Sequence, residues 1–355
     1  MFVYMGIFSL VGDFFALDIG TSAIRAVQLK GSNPADKVLV KYGSVPIDVK
    51  QVMSNSAEDR ARLANSIRKV VDDAGIATKN VVLGVPSQTA FTTIADIPKV
   101  DKKDLDASIR YQADQFIPMP LEEVELDWAL LGDSPKSPDQ HEVLLASVPK
   151  VYAERQLDLV ESVGLNLVAL EPDSIAIARA LLPAGKDVDQ QGGAVIILDV
   201  GEDVTDLVIA YRQGPRLVRS IQVGMKLLVK SAMQNLSIDE AQAKQFVLKF
   251  GLSPDKLDGQ IRSALKPSVD TLVSELIKST KFFQDRYVNV PIEKIVVTGG
   301  AAFLPDFPPY LANSTRTKIE IGNSWQNVSF PKERFDELIA LSHTFGVAAG
   351  LGERV

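Results

Sequence analysis

The sequence contains no cysteine and only two histidines, His141 and His343, in 355 residues. The absence of cysteine excludes disulfide bonds, thiolate nucleophiles and Cys-based metal sites. The two histidines are far apart in the sequence, so a His-rich metal centre is not expected. The formal net charge is −7, which argues against nucleic-acid binding as the main function.

The sequence also lacks a long uninterrupted apolar run. The longest candidate, residues 1–17, is interrupted by Asp13 and is shorter than the ~20 residues that a membrane-spanning helix needs. It has neither the basic region nor the small-residue cleavage site of a signal peptide, and Met5 is an alternative start. We therefore predict a cytoplasmic protein whose first residues pack beside the first strand.

What the sequence does contain is a turn that occurs twice. In FFALDIGTSAIRAVQLKG, an apolar run ends in Asp18, and Gly20 opens a turn before a second apolar run. In VIILDVGEDVTDLVIAYRQG, about half a chain later, a run ends in Asp199 and Gly201 follows in the same way. The pattern predicts two similar halves, each of which begins with a strand, a tight turn and a second strand.

The residue types in these turns fit a nucleotide with its metal ion. Backbone amides of glycine-rich turns donate to phosphate oxygens, whereas carboxylates hold Mg²⁺, which in turn contacts the phosphates. Gly299 and Gly300, at the end of a later apolar run, would let the backbone approach a base or ribose because neither has a Cβ. We therefore predict a nucleotide between two lobes, with Asp18 and Asp199 holding Mg²⁺ through water.

The remaining patterns divide the chain into three parts, and alternating helical and strand patterns place it in the α/β class. The adjacent Phe282 and Phe283 lie in a long helical pattern, and both are expected in the core. The predicted parts are a first lobe of residues 12–85 and 163–188, an inserted α+β block of residues 86–162, and a second lobe of residues 192–355.

Four segments resemble the nucleotide-binding motifs of the actin-like ATPase superfamily. LDIGTS and LDVGEDVTD are similar to its two phosphate motifs, VVTGGAAFLPDF to its adenosine motif, and HTFGVAAG to its last connecting helix. The resemblance implies a two-lobed actin-like (ribonuclease H-like) fold that binds ATP between its lobes. Sugar kinases, heat-shock chaperones and bacterial actin-like proteins share this fold.

The inserted block narrows the resemblance to the PilM family of type IV pilus assembly proteins, which is itself similar to the division protein FtsA. QFIPMPLEEVELDW and ALEPDSIAIARAL are the most specific segments, and the resemblance covers about residues 14–352. It implies a cytoplasmic adaptor, recruited to the inner face of the cytoplasmic membrane, that binds the N-terminal peptide of the inner-membrane protein PilN. Contacts with the pilus motor ATPase and the inner-membrane platform are also implied, and self-association stays open.

The resemblance also implies where the ligands bind. The apolar residues Phe116, Ile117 and Met119 end a helical pattern in the inserted block; they are predicted to lie near the peptide groove, with packing in the core of the block as the favoured alternative. No catalytic residue is assigned, and Asp206 joins the two earlier aspartates as a candidate acid of the Mg²⁺ shell. The residues predicted to bind the nucleotide are Asp18, Gly20, Thr21, Ser22, Asp199, Gly201, Thr205, Asp206, Gln242, Gln245, Gly299, Gly300 and Ala301.

Two departures from the superfamily pattern bear on ATP. Glu202 and Asp203 occupy the second phosphate loop where FtsA and the chaperones carry glycine, and their charge opposes phosphate binding unless a cation offsets it. In the ribose-contacting helix, relatives usually carry Ala-Glu and then Lys three residues later, where this chain has Gln242 and Gln245. We therefore predict ATP binding with weak or absent hydrolysis.

Three alternatives remain open from the sequence. An FtsA-like filament-forming ATPase of cell division usually ends in an amphipathic membrane helix, and only five residues follow Gly350 here. A sugar or acid kinase on the same fold would need a catalytic acid at the acceptor hydroxyl. An adaptor of a related secretion system would carry the same motifs as a pilus adaptor.

Overall fold

The computed structural model of the chain describes residues 12–54, 56–101, 103–184, 192–212 and 214–354. The segment 1–11, for which we predicted packing beside the first strand, lies outside these residues. The first elements are β1 (Phe15–Ile19), β2 (Ala23–Lys30), β3 (Lys37–Pro46), α1 (Val49–Met53), α2 (Ala57–Ala74) and β4 (Asn80–Val85).

Helix α2 shows how local sequence sets the limits of an element. The Ser56 hydroxyl accepts the backbone N–H of Asp59 and caps the first turn. The helix ends at Gly75, whose φ of +66° lies in the left-handed region that favours glycine. One face is apolar and buried, so the helix packs against β2 and β3; that face consists of Leu63, Ala64, Ile67, Val70 and Val71.

The inserted block forms a three-stranded antiparallel sheet with its own small core. The next elements are β5 (Phe91–Pro98), α3 (Leu105–Ala113), β6 (Val124–Asp133), β7 (Gln140–Pro149) and α4 (Lys150–Ser162). The sheet order is β5-β7-β6, and Ile97, Ile109 and Leu145 pack together on one face. Helix α4, which we predicted inside this block, contacts β6 and β7 and also packs on α2 and the first-lobe core, where Leu159 and Val160 are buried.

The remaining elements build the second lobe and return to the first. They are β8 (Asn166–Pro172), α5 (Asp173–Leu181), β9 (Ala194–Val200), β10 (Thr205–Tyr211), β11 (Gly214–Ile221), α6 (Met225–Leu236), α7 (Glu240–Phe250), α8 (Gln260–Arg286), β12 (Ile292–Gly299), α9 (Phe307–Thr315), β13 (Lys318–Ile321), β14 (Val328–Ser329), α10 (Phe335–Leu341) and α11 (Gly346–Gly352). Within the described ranges, no helix combines the length and apolar character needed to cross a bilayer.

The two large sheets repeat one arrangement of strands. The first has the order β14-β3-β2-β1-β4-β8, and the second has the order β11-β10-β9-β12-β13. The leading strand of each half, β1 or β9, pairs antiparallel with the strand that follows it and parallel with a later strand, β4 or β12. The repeated turn in the sequence therefore marks a repeated fold unit, and the predicted two-lobed α/β fold is confirmed.

The end of the chain lies on the first lobe, not on the second. Strand β14 pairs with β3, and α11 packs against α5 and β1. A Cβ at Gly350 would lie 1.8 Å from the carbonyl oxygen of Ala176, so only a helix of small residues fits this close against α5. Our prediction that all of residues 192–355 form the second lobe is therefore wrong for this terminal segment.

A buried ion-pair network joins the inserted block to the second lobe. Asp96 on β5 and Glu142 on β7 are direct cross-strand neighbours, a destabilising arrangement for two like charges. Arg286 at the end of α8 contacts both: its Nη atoms lie 2.5 and 2.8 Å from the Asp96 carboxylate, and Nη2 lies 2.8 Å from Glu142 Oε1. Arg216 Nε lies 2.9 Å from Glu142 Oε2, and the Tyr287 hydroxyl donates to Oε1 at 2.6 Å.

Candidate functional site

The first phosphate-type turn connects β1 to β2. Asp18 lies near the end of β1 and is 7% exposed. The Gly20 N–H donates to the carbonyl of Ala23 at 3.1 Å, which closes the turn. Thr21 is half-buried and Ser22 is exposed at its tip. The turn therefore leaves its backbone and these two hydroxyl side chains beside the buried carboxylate.

The second turn, between β9 and β10, has the same geometry. The Gly201 N–H donates to the carbonyl of Val204 at 2.9 Å, and Asp199 lies near the end of β9. Thr205 is fully buried, and its hydroxyl donates to the carbonyl of Val223 at 2.6 Å. The predicted ligand Thr205 therefore stabilises the turn, since its hydroxyl is already engaged.

The adenosine-type motif, Gly299 to Ala301, contacts the end of β9 next to the second turn. Gly299 has φ +77°, and a Cβ there would lie 2.4 Å from both Asp199 Oδ1 and the Val200 carbonyl oxygen. Gly300 N–H donates to the same carbonyl at 2.7 Å. Ala301 is fully buried, and its side chain packs in the second-lobe core. The close approach explains why two glycines end this strand.

The charges in the cleft are unequally paired. Asp18 lies opposite Arg25 in the β1–β2 ladder, and their closest atoms are 3.3 Å apart. In the second lobe Asp199 lies opposite Asp206, so a carboxylate occupies the position that corresponds to the arginine. The Ser220 hydroxyl donates to Asp206. One half of the repeat therefore contains an ion pair and the other contains two like charges.

The pKa values reflect this excess of negative charge. Burial, with Asp206 and Asp18 nearby, raises the pKa of Asp199 to about 7. Burial likewise raises the pKa of Asp206. It also raises the pKa of Asp18, although Arg25 acts in the opposite direction. The mutual effects of these carboxylates show that the structure brings the predicted metal-shell acids of both lobes together.

Two further residues belong to this cluster, Asp173 and Arg25, and neither was predicted from the sequence. Asp173 begins α5 against Gly84, and burial together with the surrounding acids raises its pKa well above the usual range. Its Oδ1 is buried without a hydrogen-bond partner among the described residues. Overlaying the two turns would have exposed Arg25, because it aligns with Asp206.

A nearby acid, Glu171, has a different role. It is fully buried, with Arg179 at 2.6 Å and Arg354 at 2.8 Å from its two oxygens. Both oxygens are therefore engaged by cations of the fold, one of which comes from the end of the chain. Glu171 stabilises the contact of α5 with the C-terminal segment and is not an open ligand for a metal ion.

The loop between β9 and β10 contains two acids, Glu202 and Asp203, after the turn glycine. Lys226 in the first turn of α6 lies 3.2 Å from Asp203 Oδ1, and its backbone N–H donates to the carbonyl of Glu202 at 2.9 Å. Lys226 is largely exposed, so its charge only partly offsets the two acids.

The predicted ribose-contacting residues lie on a surface helix. Gln242 and Gln245 are exposed on α7, which packs against α6 and α8. The backbone N–H of Gln242 is engaged by the capping carboxylate of Asp239 at 2.8 Å. The side chains of both glutamines remain accessible to solvent on this helix, and their contact with a nucleotide stays a prediction.

The predicted peptide-groove residues follow α3 in the inserted block. Ile117 is 5% exposed and belongs to the core of the block, so it does not offer a side chain to a ligand. Phe116 and Met119 are half-buried and pack against the same core. Only these two retain apolar surface that a peptide can contact.

In the part of the chain that the structure describes, the cleft combines two glycine turns, the Gly299-Gly300 strand end and an acid cluster that Arg25 only partly neutralises. Within the described residues, no three acidic or histidine side chains are arranged as direct ligands of one metal ion. Such a cleft can bind a polyanion together with a hydrated cation. Both would be needed, because the acids alone repel phosphate.

Comparison with known proteins identifies one matching family and a similar solved structure. Residues 16–355 match the family model described as Type IV pilus assembly protein PilM. A solved structure described as a PilM-PilN type IV pilus biogenesis complex is similar with 25% identity and a TM-score of 0.80, covering 97% of this chain and 98% of that chain.

Two further proteins are less similar to this chain. MreB5 of Spiroplasma citri bound to AMPPNP is 13% identical with a TM-score of 0.55, covering 96% of this chain and 95% of that chain. An archaeal actin homolog of Thermoplasma volcanium is 24% identical over 170 residues, which are 45% of this chain and 52% of that protein. This chain thus spans about half the length of that curated relative.

Proposed function

Because the chain belongs to the family of type IV pilus assembly proteins PilM, we propose that it is a nucleotide-binding adaptor of a pilus assembly machine. The family match over residues 16–355 is the observation that carries this proposal. The adaptor acts in the cytoplasm at the inner face of the membrane, where it connects the inner-membrane platform to the motor ATPase. It reaches the membrane through its partners.

ATP occupies the cleft between the lobes. The amides of the Gly20 and Gly201 turns bind the phosphates, and the Gly299-Gly300 backbone approaches the adenosine. Asp18 and Asp199 hold Mg²⁺ through water, with Asp206 beside them. The raised pKa of Asp199 supports a cation here, since a divalent ion would relieve the repulsion between these acids. No residue is assigned to hydrolysis, and the role of ATP is conformational.

The partner is the N-terminal peptide of PilN. The similar solved structure is described as a complex of PilM with PilN, and the present chain matches it over nearly its whole length. We place the peptide in a groove beside the inserted block, with Phe116 and Met119 on the apolar wall. Both side chains retain partial exposure while resting on a rigid core, as a peptide anchor site requires.

The Arg286 network supplies a physical connection between the two sites. It joins the inserted block to the second lobe, while the nucleotide lies between the two lobes. A change in the lobe angle therefore moves the inserted block relative to the first lobe and biases the peptide groove. This is a shift between pre-existing conformations rather than catalysis.

The test is a calorimetric titration of the full chain with a synthetic N-terminal peptide of the PilN encoded with it, with and without Mg²⁺-ATP. We expect binding in both conditions, and an affinity that depends on nucleotide. Met119→Glu should weaken binding about tenfold or more, because it introduces a charge into an apolar contact. The exposed Lys69→Glu on α2 serves as the control and should bind like the parent chain.

Other outcomes of these measurements would change the proposal. No peptide binding in either condition would overturn the adaptor proposal. Polymers that sediment with ATP, together with unaided binding to liposomes, would favour the filament-forming alternative instead. Affinity that is the same with and without nucleotide would retain the adaptor but overturn its coupling to the cleft.

A further inference from the structure

A second groove lies where the inserted block meets the second lobe. It is a cavity of about 550 Å³ with walls from β5, β11 and the C-terminal part of α8. Both strands are edge strands: among the described residues, β5 pairs with β7 alone and β11 with β10 alone. Free strand edges offer unpaired backbone groups to an extended chain.

The floor of this groove is apolar and partly exposed. Ile94 and Leu217 are half-buried in it. Phe282 is 56% exposed, whereas its neighbour Phe283 is 1% exposed. Our prediction that both phenylalanines lie in the core is therefore wrong for Phe282, because successive residues of a helix point about 100° apart. A large aromatic ring at a groove is a typical anchor for a bound peptide.

The charge of the groove favours an acidic ligand. Four of its lining residues are basic and only Asp285 is acidic. Arg216 and Arg286 are engaged by the buried carboxylates described above, so their charges are compensated within the fold. Of the other two, Arg219 has its guanidinium 5.3 Å from the centre of the Phe282 ring, and the exposed Lys136 has its Nζ 3.5 Å from Asp96, an acid that Arg286 already pairs.

We propose that this groove binds an extended segment of a partner protein in which acidic residues alternate with apolar ones. The segment pairs with a free strand edge, places apolar side chains on Phe282 and Leu217, and directs its carboxylates to Arg219 and Lys136. Period-two alternation follows from strand geometry, since successive side chains point to opposite sides. This is a second docking site, separate from the PilN peptide groove.

The probe is a fluorescein-labelled ten-residue peptide of alternating Val and Glu, titrated with the full chain and followed by fluorescence anisotropy. A matched peptide carries Lys in place of Glu. We expect the Glu peptide to bind about tenfold tighter or more, and binding to weaken as salt is added, because exposed charges are screened. Arg219→Glu should lower affinity about tenfold and Phe282→Ala about fivefold. Lys69→Glu makes the same change of charge on α2 and should have no effect.

A second measurement uses the absence of cysteine from the chain. Thr93→Cys introduces a single thiol in the groove wall, and coupling it to a bulky maleimide should abolish binding that the unlabelled variant retains. Labelling Lys69→Cys should leave binding intact. This blocking test does not depend on the folding of the Arg219 variant.

Three results would overturn the proposal: equal affinity for the two peptides, unchanged binding of Arg219→Glu, or displacement of the Val-Glu peptide by the PilN peptide. The last would mean that the two grooves are one site. Failure of the PilN peptide to bind at all would overturn the adaptor proposal alone, because the Val-Glu titration does not involve it.

Discussion

Two regions of this molecule contain buried or partly buried carboxylates, and they differ in how many cations lie beside them. At the junction of the inserted block and the second lobe, Asp96 and Glu142 face each other across two strands but are held by Arg286 and Arg216. Although burial acts against ionisation, hydrogen bonds from Arg286 and Ser134 lower the pKa of Asp96. In the cleft, the pKa values of four aspartates are raised, and Arg25 lowers the pKa of only Asp18 and Asp199 among them.

The difference separates a structural network from a binding site. A buried acid with a cation beside it is satisfied by the fold, and removing the cation leaves an uncompensated charge. A cluster of partly buried acids without enough cations is less favourable for the folded state, and a cation that binds from solution relieves the repulsion. The comparison predicts that the junction is needed for stability and that the cleft is sensitive to pH and to Mg²⁺.

The largest effect is expected at the junction. Arg286→Met removes the cation that contacts both acids and should lower the free energy of unfolding by about 3 kcal/mol, the order reported for breaking a buried ion pair. Urea denaturation measures this change. Lys278→Met, on the exposed face of the same helix, should change it by about 0.5 kcal/mol or less. Equal midpoints for the two variants would contradict a structural role for the network.

The next effect concerns the glycine pair of the cleft. Gly299→Ala forces a Cβ against the carboxylate of Asp199 and the carbonyl of Val200 at positive φ, which should cost about 2 kcal/mol and abolish nucleotide binding. Gly300→Ala instead meets the flexible side chain of Met225 and should be milder. Thermal unfolding with and without Mg²⁺-ATP measures both variants. A smaller loss of stability in Gly299→Ala than in Gly300→Ala would contradict the prediction that Gly299 is the more tightly constrained glycine.

A smaller effect is the pH dependence of the cleft. The folded state retains the proton of Asp199 up to about pH 7, whereas an unfolded chain loses it near pH 4. Because the folded protein binds more protons, its stability falls as pH rises through this window. Between pH 5 and pH 8, stability should fall by about 1–2 kcal/mol less in Asp199→Asn than in the parent chain.

Urea denaturation at several pH values measures this difference. Asp255→Asn, at an exposed surface position, is the control and should follow the parent. Added Mg²⁺ should reduce the pH dependence of the parent chain but not that of Asp199→Asn. A parent chain whose stability is flat from pH 5 to pH 8 would contradict the raised pKa of Asp199.

The smallest effect is expected in the second phosphate loop. Asp203→Asn removes one negative charge that the exposed Lys226 offsets only in part, so Mg²⁺-ATP should bind about threefold tighter. Calorimetry with the Asp203 and Asp255 variants in parallel measures the change. Weaker binding by Asp203→Asn would mean that this acid itself holds the metal ion, and would move the metal site from the strand ends into the loop.

Much of the fold follows from local patterns. The apolar runs ending in Asp18 and Asp199, and the glycines after them, predict both turns, because hydrogen bonding within a turn involves neighbours in sequence. The path of the last residues was mispredicted. Nothing in the pattern of residues 328–354 reveals that β14 joins β3, since pairing across nearly the whole chain depends on the tertiary fold.

In the candidate site, too, some residues could be identified from the sequence and others only from the tertiary structure. Gly20, Gly201, Gly299 and Gly300 could be identified from sequence, because they stand in two turns and at a strand end. A Cβ at the first three would approach a backbone carbonyl, whereas a Cβ at Gly300 would meet the Met225 side chain. Thr205 was assigned to the nucleotide, but its hydroxyl is engaged by Val223. Asp173 was not identified, because an acid at the start of a helix is common and only the packing of α5 brings it beside the other acids.

The sequence by itself determined the repeated strand–turn–strand unit, the glycine positions and the excess of acids, since these are properties of residue type and short spacing. The tertiary structure decided which acids acquire a cation. Arg286 reaches Asp96 from a helix that is 190 residues away in the chain, and Arg25 reaches Asp18 across one hairpin. Charge pairing acts through distance in space, so the same residue type is structural at the junction and available for a ligand in the cleft.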